Sequence, residues 1–327
     1  MKKTAVFTHK ACLLHDTGEG HPERPLRLKS VIAALKQPEF ASLDWQDAPK
    51  ATTAQLTAAH GPAYVQEVLE AVVPEDGHLF LDADTVLSPD SPEAALRAAG
   101  AVAAAVDYVM AGKSETAFCA VRPPGHHAEK DRPMGFCVFA NAAVGAFHAA
   151  KEHGLKRVAI VDFDVHHGNG TADIVDGHPE FFFASTHQYP FYPGTGSASE
   201  KGSLGNILNV PLNGGDGSAE FRKAFADKIL PALEKFRPEL IIISAGFDAH
   251  KDDPLGQINL TEDDYIWVTE ELQKIAARHG QGRIVSALEG GYNVSALASC
   301  VAAHVGALMN GPAPSLKTAP PQPKQPL

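Results

Sequence analysis

Val158-Ala159-Ile160-Val161-Asp162-Phe163-Asp164-Val165-His166-His167-Gly168-Asn169-Gly170-Thr171 is an apolar run that empties into alternating carboxylates and imidazoles. Val158 to Val161 read as a strand buried on both faces. Residues two apart in an extended chain share a face, so Asp162, Asp164 and His166 are expected to point the same way. Open parallel sheets bind ligands just beyond the carboxyl ends of their strands, where this cluster falls. A single Asp at such a place is commonly a helix N-cap. Two Asp and two His followed by Gly-Asn-Gly exceed what capping needs, because burying that much polarity requires pairing or a metal.

Outward from this stretch the chain alternates between strand and helix. Strands are expected at Thr4 to Thr8, Ala117 to Val121, Phe181 to His187, Ile207 to Leu212, Leu240 to Ser244 and Ile284 to Leu288, with the quoted run extending to Phe163. Helices are expected from His21-Pro22-Glu23-Arg24-Pro25 to about Lys36, over Thr52 to Val73, Glu93 to about Ala111, Ser218 to Phe236, and after Asn293 to about Met309. That rhythm means an α/β fold, a parallel sheet with crossover helices. No internal repeat or second core is visible, so residues 1–311 read as one domain. Pro312 to Leu327, rich in Pro, Lys and Gln, reads as a disordered tail.

Composition narrows the function classes. A chain of 327 residues with 44% hydrophobic residues is globular and long enough to bury a large core. A formal net charge of -11 argues against a nucleic-acid binder and suits an enzyme with cationic substrates. Cys12, Cys119, Cys137 and Cys300 lie far apart, so neither a disulfide framework nor a zinc knuckle is indicated, and a reducing cytoplasm fits. Met1 to Phe7 lacks the apolar core of a signal peptide, and no stretch is long enough to span a bilayer.

Other strand ends carry further polar motifs. Arg122-Pro123-Pro124-Gly125-His126-His127-Ala128 holds two adjacent histidines on a rigid turn, where a pair near a metal could share acid and base work. Ala245-Gly246-Phe247-Asp248-Ala249-His250 offers a third ligand, and Glu289-Gly290-Gly291-Tyr292-Asn293 a tyrosine freed by glycines or simply packed. Asp82 and Asp84 lie in a long loop of the kind that lines a site mouth, although solvated carboxylates are the commoner case. His21 fits a capping role at a helix start. Arg24, between two prolines, could bind a carboxylate product or brace a loop.

These motifs, in this order and with Gly135-Phe136-Cys137 after the paired histidines, resemble the zinc-dependent histone deacetylase family over residues 1 to about 310. Ala128 to Met134 and Asn169 are similar to its class II branch and to bacterial deacetylase-like amidohydrolases. The resemblance implies a single-domain arginase/deacetylase fold, an eight-stranded parallel sheet flanked by helices. It implies zinc held by Asp164, His166 and Asp248. Three protein ligands leave a fourth position for water or a substrate carbonyl, and two carboxylates with one imidazole also suit Fe(II).

The family pattern pairs His126 with Asp162 and His127 with Asn169. A carboxylate stabilises imidazolium where a neutral amide does not, so His126 is expected charged and His127 to be the neutral base. Tyr292 is expected to donate to the developing oxyanion, and Phe136 and Tyr192, with Gly135, to wall a slot for an alkyl stem. Asp84 would meet a cationic amine or a peptide amide at the mouth, and Arg24 a product channel. A structural potassium ion is implied at Asp162, Asp164, His166, Ser185 and Thr186.

Two rivals share these features. A ureohydrolase with two manganese ions needs carboxylates where this chain has Gly168 and His250, so its ligand set is incomplete. A module that binds acyl-lysine without cleaving it would not need the full set of metal ligands, histidines and tyrosine present here. The expected partner is a small amide or an acylated lysine, neither nucleic acid nor membrane. An oligomeric assembly is compatible with the sequence.

Overall fold

Strands β1 (Thr4–Thr8), β2 (Asp44–Asp47), β5 (Thr116–Cys119), β6 (Val158–Asp162), β7 (Phe181–Gln188), β8 (Ile207–Leu212), β9 (Leu240–Ala245) and β10 (Ile284–Leu288) form one parallel sheet in the order β2-β1-β5-β10-β9-β6-β7-β8. A short antiparallel ribbon, β3 (Leu79–Phe80) with β4 (Val86–Leu87), stands apart from it. The computed structural model describes residues 4–75 and 77–311, so the expected tail lies outside the described residues.

The helices are α1 (Pro25–Leu35), α2 (Thr53–Ala59), α3 (Pro62–Leu69), α4 (Ser91–Met110), α5 (Asn141–His153), α6 (Asn169–Val175), α7 (Ser218–Ala224), α8 (Leu230–Phe236), α9 (Glu262–His279) and α10 (Val294–Asn310). They pack in two groups, α4 against α5, and α1 and α9 against α10. Strands β6, β9 and β10 are buried along their whole length, which is why they read as continuous Val, Ile, Ala and Leu runs rather than alternating ones. No helix among the described residues is long and apolar enough to cross a membrane.

Several expected boundaries move, each for a local reason. The run quoted first leaves the sheet at Asp162, not Phe163. Thr52 to Val73 is two helices, because His60-Gly61 is extended, Gly61 N–H donates to the Lys130 carbonyl, and Pro62 opens a new helix. Helix α1 starts at Pro25 with Arg24 at its N-cap position, so His21 does not cap it. Ser218 to Phe236 is continuous but widens into a π turn over Phe225–Ile229, just before Pro231, whose missing N–H breaks the regular ladder. Strand β2 and helices α5, α6 and α9 go beyond the sequence reading.

The sheet order decides where the chemistry sits. Five adjacent strands, β5, β10, β9, β6 and β7, end side by side, so the loops that follow them converge although their sequences are up to about 170 residues apart.

Candidate metal centre and active site

Asp164 and His166 come from the loop after β6, and Asp248 from the loop after β9. One ligand atom from each lies within 4.8 Å of the others. His166 Nδ1 is 3.0 Å from Asp164 Oδ1 and 3.2 Å from Asp248 Oδ2. Strand alternation does not produce this arrangement, contrary to the expectation from the sequence. Asp164 N–H donates to Asp162 Oδ1 and His166 N–H to Asp164 Oδ1, so consecutive tight turns carry the side chains round. Asp162 turns away to His126.

The donors fit a divalent cation. Asp248 Oδ2 is buried with no hydrogen-bond partner, while its Oδ1 accepts from Val165 N–H. Burial and the neighbouring Asp164 charge push the Asp248 carboxyl well up, the sign of negative charge left uncompensated. Burial opposes charge on His166, yet its hydrogen bond to Asp164 and the close negative charge of Asp248 raise it to about 10. A proton there stands in for positive charge that an ion would supply. The chain also approaches too closely for a side chain: a Cβ on Gly290 would lie 2.1 Å from Asp248 Oδ2 and 2.5 Å from Asp164 Oδ2.

Two other clusters among the described residues bring potential ligands together, Asp107–His148–His153 and His250–Glu262–Cys300. In the first, His148 Nδ1 faces Gln55 Nε2 at 3.2 Å, and Gln55 Oε1 is already engaged by Thr52 N–H. In the second, His250 Nδ1 accepts from Asp252 N–H. In both, the imidazole Nε2 is left carrying the proton, so its lone pair is not free for a metal.

Beside the Asp164 cluster lie the paired histidines. His126 Nδ1 is 3.0 Å from Asp162 Oδ2, and His127 Nδ1 is 2.7 Å from Asn169 Oδ1. Burial disfavours charge on both rings. For His126 the Asp164 and Asp162 carboxylates overcome it and raise the imidazolium well above the ordinary range. For His127, burial together with the charges of His126 and His166 drives it well below. The surroundings thus push the two adjacent rings in opposite directions, in the sense expected from their pairing with Asp162 and Asn169.

A cavity of about 330 Å³ opens from this floor, lined by His127, His166 and Tyr292, by Phe136, Phe191 and Tyr192, by Gly135 and Leu255, and by Asp84. Phe191 stacks on His166 with ring centroids 5.5 Å apart. Gly135 has φ +55°, and a Cβ there would meet His127 Cδ2 at 2.5 Å, so only glycine fits between the slot wall and the histidine. Asp84 is half-buried at the mouth. Its carboxyl is raised by burial and by the charge of Asp82. His21 braces this rim, its Nε2 3.2 Å from the Asp84 carbonyl and its ring edge-on to Phe136.

For the expected potassium set, strand register puts Asp162 beside Ser185, with Thr186 next along β7. Arg24, expected at a product channel, is exposed at the start of α1 and does not line this cavity. The buried guanidinium is Arg27, one turn on. It donates to the Gly291 carbonyl at 2.6 Å and to Glu23 at 2.8 Å, and lies over the Tyr292 ring at 4.8 Å. Glu23 also binds Arg122, and Glu289 Oε2 accepts from Gly125 and His126 N–H, so buried ion pairs and a buried carboxylate hold the loops after β5 and β10. The i, i+4 spacing of Glu23 and Arg27 was the available signal. Nothing in the local sequence marks Phe191 or Leu255 as wall residues.

An eight-stranded parallel α/β sheet carrying this cluster at its carboxyl ends defines a hydrolase of the arginase/deacetylase fold. Residues 21–308 match the histone deacetylase domain model. The chain is 38% identical to the histone deacetylase-like amidohydrolase of Pseudomonas aeruginosa over 91% of its own length and 84% of that protein's. It is 38% identical to type-2 histone deacetylase 2 of Dictyostelium discoideum over 94% of its length, but spans only 21% of that relative. The crystal structure of the HDA15 HD domain superposes with a TM-score of 0.88 at 36% identity, covering 96% of this chain and 90% of that one. The chain belongs to the histone deacetylase family.

Proposed function

We propose that the protein is a zinc-dependent amidohydrolase that removes an acetyl or other acyl group from the amine of an acyl-lysine, an acetylpolyamine or a related small amide. Asp164, His166 and Asp248 would hold the ion. Zinc, when bound, polarises the amide carbonyl and lowers the pKa of water towards about 7. The observation that carries the reading is the convergence of Asp164, His166 and Asp248, with the buried Asp248 Oδ2 left without a hydrogen bond, beside a His126 paired with Asp162 and a His127 paired with Asn169.

The chain's own groups then divide the work. Asn169 Oδ1 accepts from His127, so the proton sits on Nδ1 and Nε2 is left to take a proton from the attacking water and return it to the leaving amine. His126, paired with Asp162, contributes fixed positive charge. Tyr292 donates its hydroxyl hydrogen bond to the amide oxygen as negative charge builds there. Phe136 and Tyr192 enclose a methylene stem, and Asp84 accepts from a cationic amine or a peptide N–H at the mouth. The potassium reading is carried by the neighbouring Asp162 and Ser185 positions. Fe(II) is the alternative to zinc, since the donor set serves either.

The test is turnover on a panel of acetyl-lysine peptides, acetylated polyamines and simple N-alkyl amides, with and without chelator, beside elemental analysis. Chelator-sensitive turnover with one zinc per chain is expected. No turnover on any member, in protein that has bound metal, points instead to an acyl-lysine-binding module.

A further inference from the structure

We propose that Glu129, a partly exposed residue outside the cavity, is a positioning residue that sets which nitrogen of His127 carries the proton, acting through the orientation of the Asn169 amide. This rests on the reading of His127 as the proton acceptor. A primary amide has an acceptor end and a donor end of nearly the same shape, and its terminal torsion is broad, so something must choose between the two orientations. Here Oδ1 faces His127 Nδ1 at 2.7 Å. If the amide turned over, its NH2 would meet Nδ1 and make it an acceptor. The proton would move to Nε2, and the lone pair that takes the proton from water would be lost.

The surroundings of Nδ2 decide the matter. It lies 2.7 Å from Glu129 Oε1, 3.3 Å from Met134 Sδ and 3.5 Å from the His127 carbonyl, all acceptors. Glu129 is the only charged one of the three, and a carboxylate cannot accommodate an amide oxygen at that distance without repulsion. Its own position is locked by Arg132, which donates at 2.7 and 2.8 Å to its two oxygens, and by a tight turn in which Glu129 N–H donates to the Arg132 carbonyl. Hydrogen bonds from Arg132 hold the carboxyl below its ordinary range, so it remains an acceptor. A surface ion pair is thereby connected to the catalytic ring through one amide.

An aspartate at position 169 would have no donor end to misplace and would be repelled by Glu129. The relay therefore predicts that the loss seen in the native background is absent or reversed in a second one. In the native background, Glu129→Ala lowers kcat about tenfold, a part of what a positioned base contributes, with KM little changed. In the Asn169→Asp background the same change leaves kcat unchanged or raises it. A merely structural role for Glu129 gives equal losses in both backgrounds and overturns the proposal.

A second readout does not depend on turnover. In metal-loaded protein labelled with 15N-histidine, with the His127 signal assigned by its disappearance in His127→Asn, the native ring is expected to show Nδ1–H alone. Glu129→Ala is expected to add an Nε2–H population, and Glu129→Gln, which can still present an oxygen, to restore much of the native pattern. An unchanged Nδ1–H ring in Glu129→Ala overturns the relay. If no substrate turns over, the function reading fails while the tautomer measurement still decides this one.

Discussion

Two regions of this molecule bring the same residue types to within metal-binding distance. After β6 and β9, Asp164, His166 and Asp248 converge; across α4 and α5, Asp107 meets His148 and His153 with both Nε2 atoms 2.7 Å from one carboxylate oxygen. The distances barely differ, yet the chemistry does. At the sheet the carboxylates are fully buried, Asp248 Oδ2 has no hydrogen bond, and His166 Nδ1 faces both acids. On the helices the Asp107 side chain is 55% exposed, and the Gln55 amide directs the His148 proton at it, so ordinary hydrogen bonds and solvent account for the cluster. Desolvation and lone-pair direction, rather than proximity, separate a metal centre from a surface cluster.

The largest expected effect breaks the sheet-end centre. Asp164→Ala or Asp248→Ala should abolish stoichiometric metal retention and turnover together, read by elemental analysis and a chelator-controlled assay. Retention of one metal per chain in both variants would move the ion elsewhere. His127→Ala should follow with a loss of two to four decades in kcat, the usual contribution of a positioned base. His126→Ala should cost less; the reverse order in steady-state kinetics would exchange the two roles. Tyr292→Phe should cost two to three decades in kcat, as for loss of one oxyanion donor, with binding of an unreactive substrate analogue unchanged.

The buried histidines outside the centre sharpen the contrast through pH. Burial lowers His60 to about 4 and His304 to about 3 from an ordinary value of 6.5. Between those values the unfolded chain binds more protons than the folded one. Their contribution to stability is therefore complete above 6.5 and is lost as pH falls towards 3 to 4, each by up to about 1.4 kcal/mol per pH unit. Denaturant titrations from pH 7 to 4 should show that fall, and His304→Gln should make it shallower; an unaltered slope would mean that the ring is not buried neutral. The smallest effect belongs to the surface cluster. Asp107→Asn should leave metal content and turnover as they are and change stability by less than about 1 kcal/mol.

How far the sequence carries varies with the range of the forces involved. Alternation of buried runs with helical segments was enough for a parallel sheet, because it depends on a few neighbouring residues, whereas the candidate ligand set came from the resemblance of the strand-end motifs to a known family. Helices α5, α6 and α9 went unread, although α9 carries a local signature, with Thr261 and Asp264 as a capping box, acids in its first turn and Arg278 and His279 in its last. The exposed Arg24 and the buried Arg27 differ by one helical turn, and only the packing of α1 against the loop after β10 tells them apart.

By itself, the sequence indicated the fold class, and the resemblance of its motifs to a known family pointed to the three candidate metal ligands and to the pairing of two histidines with one carboxylate and one amide. Those are statements about chemical type and spacing along the chain. Tertiary structure alone decided that tight turns rather than strand alternation bring Asp164 and His166 round to Asp248, that Phe191 and Leu255 help to wall the cavity, and that Glu129 faces the donor end of Asn169. Each of these depends on side-chain direction and desolvation between segments far apart in the chain, set by the order of β5, β10, β9, β6 and β7 in the sheet.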